Sequence, residues 1–230
     1  MKRIEVTGQL HGIPSPARKK VEAGVRERLL SSGMRLFAAR GFDGVPVDAI
    51  VADAGVNKRM VYHYFGSKEG LYGMVLARVY EELQALEEKF FAGPEHIMDP
   101  EAALAAIVEA YFEYLRGHPM FVRLLLWENL HEGSHLAKVG GAVTKSPMLE
   151  HLKRVLAEGE RRGVFRKDLD ARKVLISLIG LCLVYFSNRH TLSHSVGLDL
   201  GAASVLRGAA KHTAALLLGG VGSTTRKSKS

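Results

Sequence analysis

Residues 54–69 read Ala54-Gly55-Val56-Asn57-Lys58-Arg59-Met60-Val61-Tyr62-His63-Tyr64-Phe65-Gly66-Ser67-Lys68-Glu69, and this stretch decides the fold. Gly55 closes a short apolar stripe made of Val47, Ile50, Val51 and Ala54. Asn57 is a natural N-cap for a helix over 58–65, because its side-chain oxygen can accept a free N–H of the first turn. Gly66 breaks that helix. Ser67 caps the next one, with Glu69 in the first turn, where a carboxylate favours the helix dipole. Two short helices joined by a glycine-containing turn of three or four residues predict a helix-turn-helix. Small Ala54 and Gly55 let the two backbones approach, and Val56 fills the space between them.

The helix over 58–65 is unusual for a purely structural element. Lys58, Arg59, Tyr62, His63 and Tyr64 crowd donors and aromatic hydroxyls into seven positions, the equipment a helix needs to reach base edges and phosphates in a major groove. Upstream, Val21, Val25, Leu29, Met34, Phe37 and Ala38 recur at helical steps from Lys19, and Gly41 follows Arg40 as a C-terminal glycine. Pro46 opens the second helix. Residues 1–18, with Gly8, Gly12, Pro14 and Pro16, read as a flexible basic arm. Downstream the chain reads as helices over 67–91, 100–116, 119–131, 147–162, 171–187 and 200–218, with a disordered Ser/Thr/Lys tail over 219–230. There is no alternating strand pattern and no internal repeat. The predicted fold is all-α: a three-helix helix-turn-helix domain over 19–66, joined by a long helix to a helical domain over 67–218.

Of the formal net charge of +8, residues 1–70 carry +5 (12 Lys/Arg against 7 Asp/Glu) and residues 71–225 carry none (17 of each). Arg226, Lys227 and Lys229 supply the rest. A basic end on a neutral body suggests contact with a polyanion, against the plainer reading of solubility and a charged tail. No stretch approaches 18 uninterrupted apolar residues, so no membrane span is expected. No apolar segment follows Lys2 and Arg3 to make a secretory signal. The single cysteine, Cys182, excludes an internal disulfide and fits a reducing cytoplasm. The sequence has no nucleophile elbow, phosphate-binding loop, His-Glu-x-x-His helix or dinucleotide fingerprint, so catalysis is not expected. A helical scaffold without DNA activity would leave the donor cluster and the localised charge unexplained.

Residues 26–75 resemble the DNA-binding domain of TetR/AcrR-type (tetracycline-repressor-like) regulators. The matching elements are Leu36-Phe37-Ala38 with Gly41-Phe42, Ala54-Gly55-Val56-Asn57-Lys58, and Val61-Tyr62-His63-Tyr64-Phe65 followed by Ser67-Lys68-Glu69. The resemblance implies a homodimeric regulator of double-stranded operator DNA, with repression relieved by a small molecule. It makes 58–64 the recognition helix and gives an expected contact set of Val47, Asn57, Lys58, Arg59, Met60, Tyr62, His63, Tyr64 and Lys68. Tyr62 and Tyr64 would meet phosphates or bases, and Lys68 a phosphate at the start of its helix. Two positions depart from the family pattern. Val45 and Pro46 stand where a hydroxyl often caps the second helix, and Arg59 stands where glycine is common. A guanidinium at Arg59 can read guanine bidentately, or pair with a phosphate. Arg18, Lys19 and Lys20 are candidates for a minor groove.

In such regulators the helical domain dimerises and binds the effector. Residues 171–187 are apolar nearly all round, which means burial on more than one side, either as a dimer interface with 202–218 or as a central core helix. Tyr111, Tyr114, Phe121, Trp127, Tyr185 and Phe186 are candidate aromatic walls for the effector, and Asn129, His131 and Cys182 candidate polar groups. His131/His135 and His190/His194 are spaced i, i+4, but no third ligand accompanies either pair. Neither a metal nor another cofactor is expected.

Overall fold

A capping residue and a following proline set several of the helix starts. The Asp99 side chain accepts the N–H groups of Glu101 (3.0 Å) and Ala102 (3.2 Å) just before Pro100. Ser146 accepts the Leu149 N–H (3.1 Å) just before Pro147. Proline fits these positions because the first turn of a helix leaves its N–H groups free. The computed structural model describes residues 16–91, 99–140 and 146–223, with side chains from residue 23 onward. These residues form α1 (Pro16–Arg40), α2 (Val47–Ala54), α3 (Arg59–Phe65), α4 (Lys68–Phe91), α5 (Pro100–Gly117) and α6 (Pro119–Leu130). They continue with α7 (Leu136–Val139), α8 (Pro147–Arg161), α9 (Ala171–Ser187), α10 (Arg189–Val196) and α11 (Ala203–Val221).

In the N-terminal half, α1 packs on α2, α3 and α4. Leu29, Phe37 and Ala38 of α1 are buried, together with Ile50, Val51 and Val61. In the C-terminal half α5 is central: it packs against α6, α8, α9 and α11 and buries Leu104, Ile107, Val108, Phe112 and Leu115. α4 belongs to both halves. Its first turns bury Leu71, Tyr72 and Val75 beside α1, and its last turns carry Glu87 and Phe91 toward α8. The buried apolar side chains form one continuous cluster, so a movement of α4 is felt on both sides.

Four features differ from the sequence-based expectation. α1 starts at Pro16, inside the segment expected to be a free arm. The side chains of Arg18, Lys19 and Lys20, and residues 1–15, lie outside the described residues. Two short helices, α7 and α10, had no sequence signal. The tail does not begin at Gly219: α11 runs on to buried Val221, and Gly222 pairs with Phe165 in an antiparallel bridge. The Arg166 N–H donates to the Val221 carbonyl (2.9 Å) and the Ser223 N–H to that of Val164 (3.0 Å). Apolar Val221 and these backbone bonds hold a segment whose composition alone reads as loop, while 224–230 lie outside the described residues.

Candidate nucleic-acid interface and effector cavity

The turn between α2 and α3 is fixed by backbone bonds. Gly55 adopts φ 63° and ψ 43°, the left-handed region that a residue with a Cβ enters at a cost. Its N–H donates to the Ala52 carbonyl (3.3 Å), and the Val56 N–H reaches back to Val51 (3.1 Å). This pair of bonds is the Schellman arrangement, with Val56 packed on the core behind it. The Asn57 side-chain oxygen then accepts the Arg59 N–H (2.9 Å) and starts α3. Pro46 at the head of α2 makes no side-chain cap bond, so a capping hydroxyl has no counterpart there. At the far end of α3, the Ser67 hydroxyl accepts the Gly70 N–H (3.0 Å). A Cβ at Gly70 would overlap the Phe65 carbonyl oxygen, so α3 and α4 meet backbone to backbone.

Within the expected DNA-contact set, Arg59, Tyr62 and His63 lie at i, i+3 and i+4 and are exposed, Tyr62 by 50%. They form the outward face of α3. The His63 ring rests edge-on against Tyr64 at 4.7 Å. Val47, Met60 and Tyr64 are half-buried against the core, which commits much of their surface to packing. Asn57 has its oxygen engaged in the cap. Lys58 pairs with Asp48 of α2 at 2.9 Å, and that bond holds its ammonium above the usual lysine range. Lys68 lies over the Phe42 ring with Nζ 4.2 Å from the centroid.

A second arrangement ties this domain to α6. The Arg123 guanidinium donates to the carbonyls of Ala38 (2.8 Å) and Ala39 (3.3 Å), and the Trp127 indole N–H to Ala38 (3.4 Å). These are the free carbonyls at the C-terminal end of α1, where a cation is favoured. Gly41 (φ 72°) lies under Trp127, and a Cβ there would stand 2.8 Å from the indole. His131 joins the Trp127 carbonyl through Nδ1 (2.8 Å) and Asp43 through Nε2 (3.2 Å). Beside it the His135 ring lies 4.5 Å from Phe42 and 5.0 Å from Tyr72. Buried Glu128 meets His135 Nδ1 at 3.2 Å and accepts the Leu136 N–H at 2.9 Å. Burial, then the charge of Glu128 and a bond to it, raise the Tyr72 phenol above its usual range.

The structure separates the candidate effector residues. Tyr111 and Phe121 line a cavity of about 280 Å³ between α4, α5, α6, α8 and α9, together with Tyr80, Glu87, Leu125 and Ile179. Tyr114 packs behind it on Phe121 and stacks on His118. Cys182 is buried, which pushes its thiol up to about 12. Trp127 and Phe186 instead border a more open groove of about 530 Å³ with Arg116, Arg123 and Arg189, and Tyr185 borders an apolar surface groove of about 280 Å³ between α9 and α11. Asn129 is exposed and donates to the Leu125 carbonyl, and His131 is held in the seam with α1. Neither of these two lines any of the three spaces: Asn129 faces solvent, and the face of α6 that carries Trp127 and His131 turns toward α1. Sequence reasoning missed Tyr80 and Glu87. The signal for Glu87 is the four-residue spacing of Leu83, Glu87 and Phe91, which sets an acid in an apolar stripe. Arg123 had no such signal, because its partners lie 84 residues or more away. Among the described residues, no group of three His, Cys, Asp or Glu side chains is placed to hold a metal ion. No single helix among them is long and apolar enough to cross a membrane.

Residues 29–75 match the family described as bacterial regulatory proteins, tetR family, and residues 100–217 match the tetracyclin repressor-like C-terminal domain. The chain is 35% identical over 176 residues to the HTH-type transcriptional repressor NicS of Pseudomonas putida, covering 76% of this chain and 82% of that one. It is 27% identical over 159 residues to the HTH-type transcriptional repressor SCO4008 of Streptomyces coelicolor, covering 68% and 75%. Its fold is similar to that of the regulator FadR from Bacillus subtilis in complex with stearoyl-CoA (TM-score 0.62, 18% identity, 85% and 98% covered). It is also similar to the ketosteroid regulator KstR2 of Mycobacterium tuberculosis (TM-score 0.61, 22% identity, 86% and 94% covered).

Proposed function

Because the chain belongs to the tetR family of bacterial regulatory proteins and is a DNA-binding transcriptional regulator, we propose that it represses by setting α3 of each protomer of a homodimer into the major groove of an operator. The observation that carries this reading is the outward face of α3, where Arg59, Tyr62 and His63 stand exposed on a helix braced at both ends. Arg59 is the residue assigned to base discrimination, with Tyr62 and His63 beside it. Lys58 and Lys68 are assigned to phosphates, which requires each to leave its present partner. Repression is the activity in the names of both relatives, and an effector in the α4–α9 cavity would relieve it.

The dimer is assigned to α9 and α11. On α9, Val174, Leu178 and Cys182 are buried, while Ile176 (69% exposed), Gly180 and Val184 form an outer face at four-residue steps. Leu216 of α11 adds to this apolar surface. Contiguous apolar patches on a folded chain mark contact surfaces. Two-fold pairing would place the recognition helices one DNA turn apart, about 34 Å. Effector binding then favours a different separation, transmitted through α4 and the Arg123–Trp127 seam on α1.

Fluorescence anisotropy on genomic fragments at several salt concentrations tests the reading. Wild type is expected to select a near-palindromic site with a steep salt dependence. Arg59→Ala is expected to lose about 1–3 kcal/mol of discrimination at one base position, whereas Tyr62→Phe weakens all sites alike. Sequence-blind binding that neither substitution alters would remove α3 as the reading element.

A further inference from the structure

The α4–α9 cavity contains one carboxylate. Glu87 is 9% exposed, and its Oε2 accepts the Met148 N–H at 3.2 Å. Among the described residues no basic side chain pairs with it. Burial raises its pKa above the usual carboxylate range, and the Met148 bond partly offsets this. Tyr80 and Tyr111 line the same space. An unpaired acid at this depth is costly to folding, and an apolar residue of similar volume would be more stable there. Capping the start of α8 accounts for one oxygen of Glu87, whose side chain also lines the cavity.

Resting on the reading of this cavity as the effector site, we propose that its ligand is a small organic cation: a protonated or quaternary nitrogen carried on a single ring. The nitrogen would pair with the Glu87 carboxylate among the aromatic side chains of Tyr80, Tyr111 and Phe121, which attract cations through their ring faces. The apolar body would lie against Leu125 and Ile179. Size supports a small ligand, since about 280 Å³ is roughly twice the cavity of about 150 Å³ that holds one benzene. An anion would meet Glu87 with no described basic side chain to offset it.

The test is isothermal titration of the full chain with 2-phenylethylammonium, 2-phenylethanol and 3-phenylpropionate, which share a ring and differ in charge. Wild type is expected to bind the ammonium about tenfold or more tighter than the alcohol, and the carboxylate most weakly. Glu87→Gln keeps an acceptor for the Met148 N–H and is expected to bring the ammonium-to-alcohol ratio close to one. A residue that only capped α8 would change the melting temperature and leave that ratio alone. The proposal is overturned if the alcohol or the carboxylate binds as tightly as the ammonium. It is equally overturned if the ratio survives Glu87→Gln, or if the ammonium fails to bind at millimolar concentration. Ile179→Trp separates the two levels, because it fills the cavity. If the alcohol or the carboxylate binds wild type as tightly as the ammonium and Ile179→Trp abolishes that binding, the cavity stands as the site and only the charge class falls. If Ile179→Trp leaves ammonium binding intact, the location itself falls.

Discussion

Asp48 restrains the interface from within. Its carboxylate is exposed, lies beside the start of α3 and occupies Lys58 at 2.9 Å. A surface pair of this kind contributes little to stability, so its main effect falls on DNA, where an acid opposes phosphate and withholds a cation. Asp48→Asn is therefore expected to tighten binding to any duplex and to steepen the salt dependence by about one counterion. Anisotropy with a scrambled duplex across a salt series measures this, and an unchanged slope would mean that Lys58 does not reach a phosphate. The same residues show what sequence makes legible. The residue types made Lys58, Arg59, Tyr62, His63 and Tyr64 stand out as a cluster, and the structure exposes Arg59, Tyr62 and His63 of them on one face. The occupation of Lys58 by Asp48 and of Lys68 by Phe42 was not legible, because each pairing crosses between elements.

At the scale of elements, starts and stops were the most readable features. Asn57, Ser67, Pro100, Pro119 and Pro147 stand within two residues of the helix starts, since caps act through bonds no more than three residues long. Ser67→Ala is expected to cost about 1 kcal/mol, a fall of about 2–4 °C in the melting temperature for a chain of this size. Thermal denaturation followed by circular dichroism measures it, and a shift below 1 °C would mean the cap contributes nothing. α7 and α10 escaped the sequence reading for the complementary reason. α7 has four residues, and polar α10 has no side-chain cap, so neither carries an apolar stripe long enough to show a period. The end of α11 was misread because Gly219 and Gly220 suggest a stop, while the bond partners Val164 and Arg166 lie more than fifty residues earlier.

At the scale of the whole molecule, the seam between α1 and α6 joins the two halves of the chain, and one of its members titrates. The Trp127 carbonyl and then the Asp43 carboxylate hold the His131 imidazole above its usual range. A group whose folded value is raised stabilises fully below its unfolded value of about 6.5, and that contribution is lost as pH rises through the folded value. Asp43→Asn should therefore lower the melting temperature more at about pH 6 than at about pH 8. A gap between wild type and variant that does not change with pH would mean the pair is absent in solution. None of this seam was legible beforehand. Trp127 and His131 stood out as an aromatic and an imidazole near a helix end, which fits a pocket wall as well as a clamp. Only the direction in which α6 faces distinguishes the two.

The contact at Gly70 bears on how such a protein changes its target over generations. With no room for even a methyl group between the Phe65 carbonyl and α4, the reading helix has no independent tilt. On the reading proposed for α3, a change of operator would then come from new side chains at 59, 62 and 63 and not from a new tilt of the helix.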